Sequence, residues 1–535
     1  MTLHPIPIPI PLPILLAEAE LPIPSGAEAV TVSGLQADSR KIRPGDLFIA
    51  ISGFSTDARI HMAEAVAKGA VAVVCEGDVV SPSPAVPVIA VHHARVAMAR
   101  LYDAFWGHPA RSLRLVGVTG TNGKTSVSTM LYRILKAAGI SCGLLGTVGY
   151  ILPGQDAPDR REAEDPTIGM TTPDPAELYH LLSRMAAAAP AGVRPTVIME
   201  VTSHALALGK VAPLTFDLSV FTNLSPEHMD LHGTMENYYE TKRKLFYVSK
   251  EAVVNADDRF GRRLLAEPTP IQHFHICHAD GLRNLPPDRL CPAGEGTCTR
   301  YYAEQVKYLG EEGVSFKLAS PDVRLRLRCP IPGQFTVMNA MEAAVAALAL
   351  GASPAAVRDT LATFLGVPGR MERVALPETD IPFSVFIDFA HTPDALENLL
   401  QAVHSFRRRG QRIVLVFGCG GDRDRSKRKV MARIASRMTD SLVITSDNSR
   451  TEDPDRIIGD ILSGVDKESE FAVVQNRAEA IRYAIRHARS GDIILLAGKG
   501  HETYEIDGEG KKPFDEREIV RDALRELYPS GETEK

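Results

Sequence analysis

Apolar residues in this chain fall into short continuous runs, each followed by a longer stretch in which they recur every three or four positions. A short apolar run bounded by turn residues reads as a strand buried on both faces, and the wider spacing reads as a helix with one buried face. On this basis residues 46–51, 70–75, 113–118, 197–200, 218–222, 385–388, 412–417, 441–445 and 492–497 are expected strands. A helix is expected at 61–68, and another at 126–138 with Met130, Leu131, Ile134 and Leu135 on one face. Strands and helices in alternation predict an α/β protein with parallel sheets. At 535 residues the chain is too long for one core, and breaks in the pattern divide it into units at 1–110, 111–367 and 368–535. Residues 280–329 carry more turns and alternating residues, which predicts a small β insert. No uncharged apolar run reaches the ~18 residues of a membrane-spanning helix, so no span is expected.

Candidate chemistry begins directly after the run at 113–118, with Gly120-Thr121-Asn122-Gly123-Lys124-Thr125. A strand, a glycine-rich turn ending in Gly-Lys-Thr and a helix make a phosphate cradle. The glycines let backbone N–H groups approach the phosphates, the lysine supplies charge and the threonine hydroxyl can hold Mg²⁺. The match is not to the strict P-loop, because Val118 stands where that pattern wants glycine. Glu200 closes another apolar run, and a carboxylate at a strand tip suits Mg²⁺, which takes few protein oxygens. After the run at 218–222, His228, Asp230 and His232 fall within five residues. His228 is a candidate ligand for a second metal and Asp230 a candidate to orient it; His232 reads equally as a structural histidine. Lys242 lies in a helical stretch, where a lone lysine is ordinarily a solvated charge.

The last unit has its own polar constellation. Gly418-Cys419-Gly420-Gly421-Asp422-Arg423-Asp424, Asp447-Asn448-Ser449-Arg450 and Gly498-Lys499-Gly500-His501-Glu502 each follow an expected strand. Arginines capture carboxylates and acids pair with ammonium groups, so these strand ends fit a zwitterionic ligand; three ordinary solvated loops are the plainer alternative.

Charge and cysteine content narrow the class. A net charge of −6 argues against a nucleic-acid binder, and 44% hydrophobic with 24% charged residues is ordinary for a globular enzyme. Seven irregularly spaced cysteines suggest reduced thiols in a cytoplasm. His273, His275, Cys277 and His278 resemble a metal cluster, but no second ligand pair stands at zinc-finger spacing, so a strand is expected there. The proline-alternating start at 4–13 reads as an extended arm, and 531–535 as a frayed end.

The chain resembles the Mur ligases, and within them the branch that adds the third residue of the peptidoglycan stem peptide. The resemblance covers nearly everything after about residue 30. It is carried, in the family's order, by Asp38-Ser39-Arg40, the 120–125 loop, Thr171-Thr172-Pro173, 200–204, 222–233, 239–242, 333–339, Gly369-Arg370-Met371-Glu372, 388–393, 418–424, 447–450 and 498–502. It implies an N-terminal uridine-nucleotide-binding α/β domain, a central P-loop-type ATPase domain with a parallel sheet, and a C-terminal Rossmann-like domain that binds an amino acid. By position, Ser39 would lie near the uracil, and Thr171, Thr172, Thr202 and Lys210 would contact the muramoyl-peptide. Residues Gly120, Thr121, Asn122, Gly123, Lys124 and Thr125 would bind the ATP phosphates, with Asn339 on the adenine side and Arg370 and Asp388 near the ribose. Thr125, Glu200 and His228 would hold Mg²⁺, joined by Lys242 carbamylated to N6-carboxylysine. Arg423, Asp447, Asn448, Arg450, Gly498 and Glu502 would bind the incoming amino acid.

The implied reaction is ATP-dependent amide formation through an acyl phosphate, on UDP-N-acetylmuramoyl-L-alanyl-D-glutamate, by a cytoplasmic monomer. The third domain is expected to close over the second and exclude water. Arg450 with Glu502 fits meso-diaminopimelate, whose distal end carries both a carboxylate and an amine. Ser449, where that branch has proline, leaves L-lysine and L-ornithine open. Thr336, Leu208, Lys210 and Ala58-Arg59 are further departures that touch fine contacts. A folylpolyglutamate-synthetase-like ligase would not need the N-terminal domain. The ligase adding D-alanyl-D-alanine is disfavoured by 447–450 and 498–502, and a non-catalytic nucleotide binder by the intact Lys124, Glu200, His228 and Lys242.

Overall fold

A computed structural model of the chain describes residues 9–51, 58–77, 86–155, 170–190, 192–279, 296–374, 376 and 381–528. The chain forms two compact units, Met1–Tyr302 with Met341–Val357, and Ala303–Ala340 with Arg358–Lys535.

The first unit opens with a four-stranded parallel sheet in the order Gly34–Gln36, Asp46–Ala50, Ala72–Glu76, Val88–Val91. Helix Ala94–Phe105 buries Ala97, Leu101, Tyr102 and Phe105. Six neighbouring strands of its larger sheet, His273–His278, Ser249–Asn255, Phe216–Phe221, Arg114–Thr119, Thr196–Glu200 and Cys142–Gly146, run parallel, and Gly149–Ile151 pairs antiparallel with the last of them. These strands are buried almost throughout, as their apolar runs require. Because they run parallel, residues following Thr119, Gly146, Glu200 and Phe221 emerge on one edge, where open α/β sheets place ligands. Helix Lys124–Ala137 begins two residues earlier than expected. Gly123, at φ 86, caps it directly, so Lys124 and Thr125 belong to the first turn rather than to the loop.

One expectation is corrected. The proline-rich start is not an extended arm beyond Pro11: Leu12–Glu18 is a helix that buries Leu12, Leu15 and Leu16. Proline is tolerated in a first turn, where its missing N–H has no helical partner to lose. Residues 1–8 lie outside the described residues, as do 280–295 and 531–535. The described part of the expected β insert is β structure: residues 297–302 pair in parallel with His273–His278. Val314–Ala319 and Arg324–Cys329, in the second unit, form an antiparallel hairpin. The histidine cluster forms the strand expected there, His273–His278; no group of three or more His, Cys, Asp or Glu among the described residues could hold a metal ion.

In the second unit six strands run Glu372–Val374, Ser384–Asp388, Ile493–Ala497, Ile413–Phe417, Ser441–Ile444, Phe471–Val473, parallel except for the first. Helices Pro393–Phe406, Ser426–Met438 and Pro454–Leu462 pack on one core, and Arg477–Arg486 and Glu516–Leu527 on another. Beneath the second core a fully buried ion pair joins Arg477 Nε to Glu516 Oε1 at 2.8 Å. Arg477 also donates to the carbonyls of Ala497 (2.9 Å) and Ser446 (3.3 Å), tying two strand ends. Removing one partner strands the other charge in a dry interior, so Glu516→Ala is expected to lower unfolding free energy by about 3–5 kcal/mol. Denaturant unfolding checks this; a loss below about 1 kcal/mol would show that Arg477 finds its compensation elsewhere.

No helix among the described residues is long and apolar enough to cross a membrane.

Candidate active site

In the first unit the site is built from the loops at the carboxyl edge of the sheet. Gly120 sits at φ 149, and a Cβ there would collide with Thr222 Oγ1, so only glycine lets the two loops close on each other. The closure is held by hydrogen bonds from Thr121 N–H to the Asn223 carbonyl (2.9 Å), Asn122 N–H to Asn223 Oδ1 (3.0 Å) and Thr222 Oγ1 to the Asn122 carbonyl (2.6 Å). The loop at 120–123 is therefore fixed by hydrogen bonds within the protein.

Glu200, fully buried at its strand tip, is the hub of the next layer. Its Oε2 accepts from Thr125 Oγ1 and Thr147 Oγ1, both at 3.0 Å, and its Oε1 from Thr147 N–H at 3.1 Å. Thr147 Oγ1 lies 3.0 Å from Thr171 Oγ1. Thr172 Oγ1 donates to the Glu200 carbonyl (2.9 Å) and meets Thr202 Oγ1 at 3.2 Å. One hydroxyl network thus joins Thr125, Glu200, Thr171, Thr172 and Thr202. Lys210 stands apart from it, paired with Asp174 at 2.7 Å. Ser39 belongs to the smaller sheet's end, where its hydroxyl donates to Glu64 Oε2 (3.3 Å) and its carbonyl accepts from Lys68 Nζ (3.1 Å).

Two lysines converge on one carbonyl. Lys124 Nζ donates to the Gly120 carbonyl (3.0 Å) and the Thr121 carbonyl (2.8 Å). Lys242 Nζ donates to the same Gly120 carbonyl at 2.9 Å and stands over the Tyr238 ring. Burial first, and the Lys124 ammonium next, hold the Lys242 pKa well below its ordinary value. Burial thus favours the neutral form of the Lys242 amine over the charged one.

His228 adopts a left-handed backbone, φ 56, and its ring meets that of His204 edge-on at 4.7 Å. His232 is buried and stacks on Tyr238 at 4.8 Å. The side chain of Asp230 lies outside the described residues. Around Glu200 the donors are a carboxylate and hydroxyls, which suits Mg²⁺, an ion that fills its shell with phosphate and water rather than a protein cage. Lys242 as an amine adds nothing to such a site; as a carbamate it would add an anion.

In the second unit, Arg423, Lys427, Asp447, Asn448, Arg450 and Glu502 line a cavity of about 570 Å³. Gly498 lines it too. Asn448 is the organiser: its Oδ1 accepts from Lys499 Nζ (3.0 Å) and Ile506 N–H (2.9 Å), so its Nδ2 is turned to Glu502 Oε2 (2.9 Å). Burial raises the Asp447 carboxyl, but Arg477 and Lys499 outweigh it and hold the pKa below the ordinary value. Burial raises Glu502, against Asn448 and Lys499. Arg450 commits one nitrogen, Nη1, to the carbonyls of Gly421 (2.8 Å) and Asn448 (3.2 Å). A larger cleft of about 670 Å³, along helices Pro393–Phe406 and Ser426–Met438, contains none of the motif residues expected to bind ligand. Asp388 accepts from Met371 N–H (2.8 Å) and Ala390 N–H (2.9 Å), and Arg370 lies over Phe389. Asn339 is buried on helix Phe335–Ala349, and no hydrogen bond joins it to Arg370 or Asp388 among the described residues.

Sequence reasoning missed Thr147 and Tyr238, and named Lys499 in its motif without giving it a role. Thr147 had one available signal: it follows the buried run Cys142–Gly146, as Glu200 ends its own.

Residues 31–106, 118–347 and 369–500 match, respectively, the Mur ligase family catalytic domain, the Mur ligase middle domain, and the Mur ligase glutamate ligase domain. The chain is 41% identical over 499 residues to the UDP-N-acetylmuramoyl-L-alanyl-D-glutamate--2,6-diaminopimelate ligase of Caldanaerobacter subterraneus subsp. tengcongensis, covering 93% of this chain and 95% of that relative. The Synechococcus elongatus protein of the same name is 41% identical over 505 residues, covering 93% and 95%. A solved structure of a UDP-N-acetylmuramoyl-L-alanyl-D-glutamate--2,6-diaminopimelate ligase matches with a TM-score of 0.62 at 28% identity, covering 97% of this chain and 99% of that one.

Proposed function

This chain belongs to the Mur ligase family, and on that premise we propose that it joins meso-diaminopimelate to UDP-N-acetylmuramoyl-L-alanyl-D-glutamate with hydrolysis of ATP to ADP and phosphate. The observation that carries the amino-acid assignment is the cavity in which Arg423 and Arg450 meet Asp447 and Glu502. A diamino dicarboxylic acid presents the complementary charges, whereas lysine and ornithine lack the distal carboxylate.

A carboxylate does not condense with an amine at neutral pH, because hydroxide is a poor leaving group. The acceptor's D-glutamyl γ-carboxylate oxygen attacks the γ-phosphorus of ATP, and ADP leaves. The amine nitrogen then attacks the acyl carbon, phosphate leaves, and the nitrogen loses a proton. Lys124 and the loop N–H groups meet the charge on the transferring phosphoryl group. Thr125 and Glu200 would hold Mg²⁺, with His228 and carbamylated Lys242 as further ligands, and the ion when bound would neutralise phosphate charge. Ser39, Thr171, Thr172, Thr202 and Lys210 are read as contacts to the uridine substrate, and Asn339, Arg370 and Asp388 as nucleoside contacts. The three divisions 1–110, 111–367 and 368–535 are read as the uridine-nucleotide, ATP and amino-acid domains. The enzyme is read as a cytoplasmic monomer; the cysteines among the described residues are free.

Arg450→Ala tests the assignment. Loss of a charge-assisted carboxylate contact is expected to raise KM for meso-diaminopimelate about 30-fold or more and to change KM for L-lysine little. Wild-type preference for L-lysine or L-ornithine would keep the ligase and overturn the amino acid.

A further inference from the structure

Two of the loops around the amino-acid cavity are strained and interlocked. Asp422 and Arg450, neither of them glycine, both sit at φ 52, a conformation that persists only where surrounding contacts over-determine it. The contacts are reciprocal. Gly421 N–H donates to the Asn448 carbonyl (2.9 Å), Arg450 Nη1 donates to the Gly421 carbonyl (2.8 Å), and Asp422 Oδ2 accepts from Thr451 N–H (3.0 Å) and Oγ1 (2.8 Å). A Cβ at Gly421 would collide with the Ser449 carbonyl, so the loops touch backbone to backbone.

Beside this contact lies an arginine that does not line the cavity. Arg428, in the first turn of Ser426–Met438, has a fully buried side chain. It grips Glu452 through both nitrogens (2.9 and 2.7 Å) and reaches the Gly420 carbonyl (3.2 Å) and Asp460 Oδ2 (2.8 Å). Glu452 Oε2 also accepts from Asp422 N–H at 3.2 Å. The Arg428 guanidinium holds the Glu452 carboxyl down at about 2, so the pair stays charged across the working range. One bidentate pair therefore ties residues 420–422 of the first loop to residue 452 of the second.

We propose that Arg428 and Glu452 are positioning residues whose ion pair holds the loops bearing Arg423 and Arg450 in the shape that receives the amino acid's distal end. This rests on the reading of the cavity as the amino-acid site. It also accounts for Ser449: with side chains holding the turn at 448–452, the turn does not depend on a proline to stiffen it. Neither residue touches substrate; each acts through the arginines it places.

Glu452→Gln keeps the shape and removes the charge, and Arg428→Lys keeps the charge and removes the fork. Both are examined by steady-state phosphate release in the full chain, varying one substrate at a time. The expected result is a KM for meso-diaminopimelate raised about tenfold or more, with KM for ATP and for the uridine acceptor within about twofold of wild type. Selectivity for meso-diaminopimelate over L-lysine is expected to fall, because the misplaced arginines serve the distal carboxylate. A circular-dichroism melt confirms that each variant is folded at the assay temperature. Folded variants with an unchanged amino-acid KM would overturn the clamp alone. A uniform loss across all three substrates would also overturn it, as the signature of general destabilisation. A wild-type enzyme that turns over with no amino acid would overturn the ligase reading, and the clamp with it.

Discussion

Lys124→Ala is expected to lower kcat for phosphate release by about 10²–10³-fold, the cost of removing one preorganised charge from a transferring group. Its ammonium is held by the Gly120 and Thr121 carbonyls at 3.0 and 2.8 Å, in the loop proposed to bind the ATP phosphates. If its interaction forms mainly in the transition state, kcat and kcat/KM for ATP fall together. Lys124→Arg is expected to rescue little, because a planar fork does not replace a point charge between two carbonyls. A variant with kcat within about threefold of wild type would place the phosphoryl charge elsewhere.

The second large effect is expected at Lys242. Lys242 is 1% exposed, and its amine shares the Gly120 carbonyl with Lys124. Burial and the neighbouring ammonium depress its pKa well below the ordinary 10.5, so the amine is neutral above that lowered value and protonated below it. A neutral amine attacks carbon dioxide: the N–C bond forms, a proton is lost, and the cation's place is taken by an anion. Activity is therefore expected to depend on dissolved carbon dioxide, to be lost as pH falls through the lowered value, and to recover with bicarbonate. Lys242→Ala is expected to lower kcat about 10²–10³-fold, with partial rescue by a short carboxylate such as acetate. Activity within about twofold of wild type in the alanine variant would remove Lys242 from the mechanism. Linkage gives the sign for stability. Between the lowered value and 10.5 the unfolded chain binds a proton that the folded amine does not, so this site's contribution to stability rises with pH across that window.

Lys242 also marks where sequence reading stops. A lysine in a helix is ordinarily a solvated charge, yet it stands four residues after Tyr238 and three before Leu245, both buried. The helical period placed it on the inner face; its charge argued for the outer. Arg428 poses the same conflict, three residues before Met431 and four before Ala432 on the buried face of its helix. In both cases periodicity was the better guide, because a buried cation is retained only where something specific meets it. The parallel strands and the phosphate loop were legible because apolar runs and a glycine-bounded turn are local signals. The Thr147–Glu200 hub was not, since its residues are 53 positions apart and meet only when two parallel strands end on one edge. The helical start after Pro11 was masked by prolines whose cost vanishes in a first turn.

The most direct measurement is phosphate release from ATP with Mg²⁺ and UDP-N-acetylmuramoyl-L-alanyl-D-glutamate, offering meso-diaminopimelate, L-lysine or L-ornithine in turn and following the uridine product by mass spectrometry. The account predicts turnover that requires both the acceptor and an amino acid, favours meso-diaminopimelate, and yields one amide product per phosphate. Phosphate release that proceeds without the acceptor and forms no amide would contradict it.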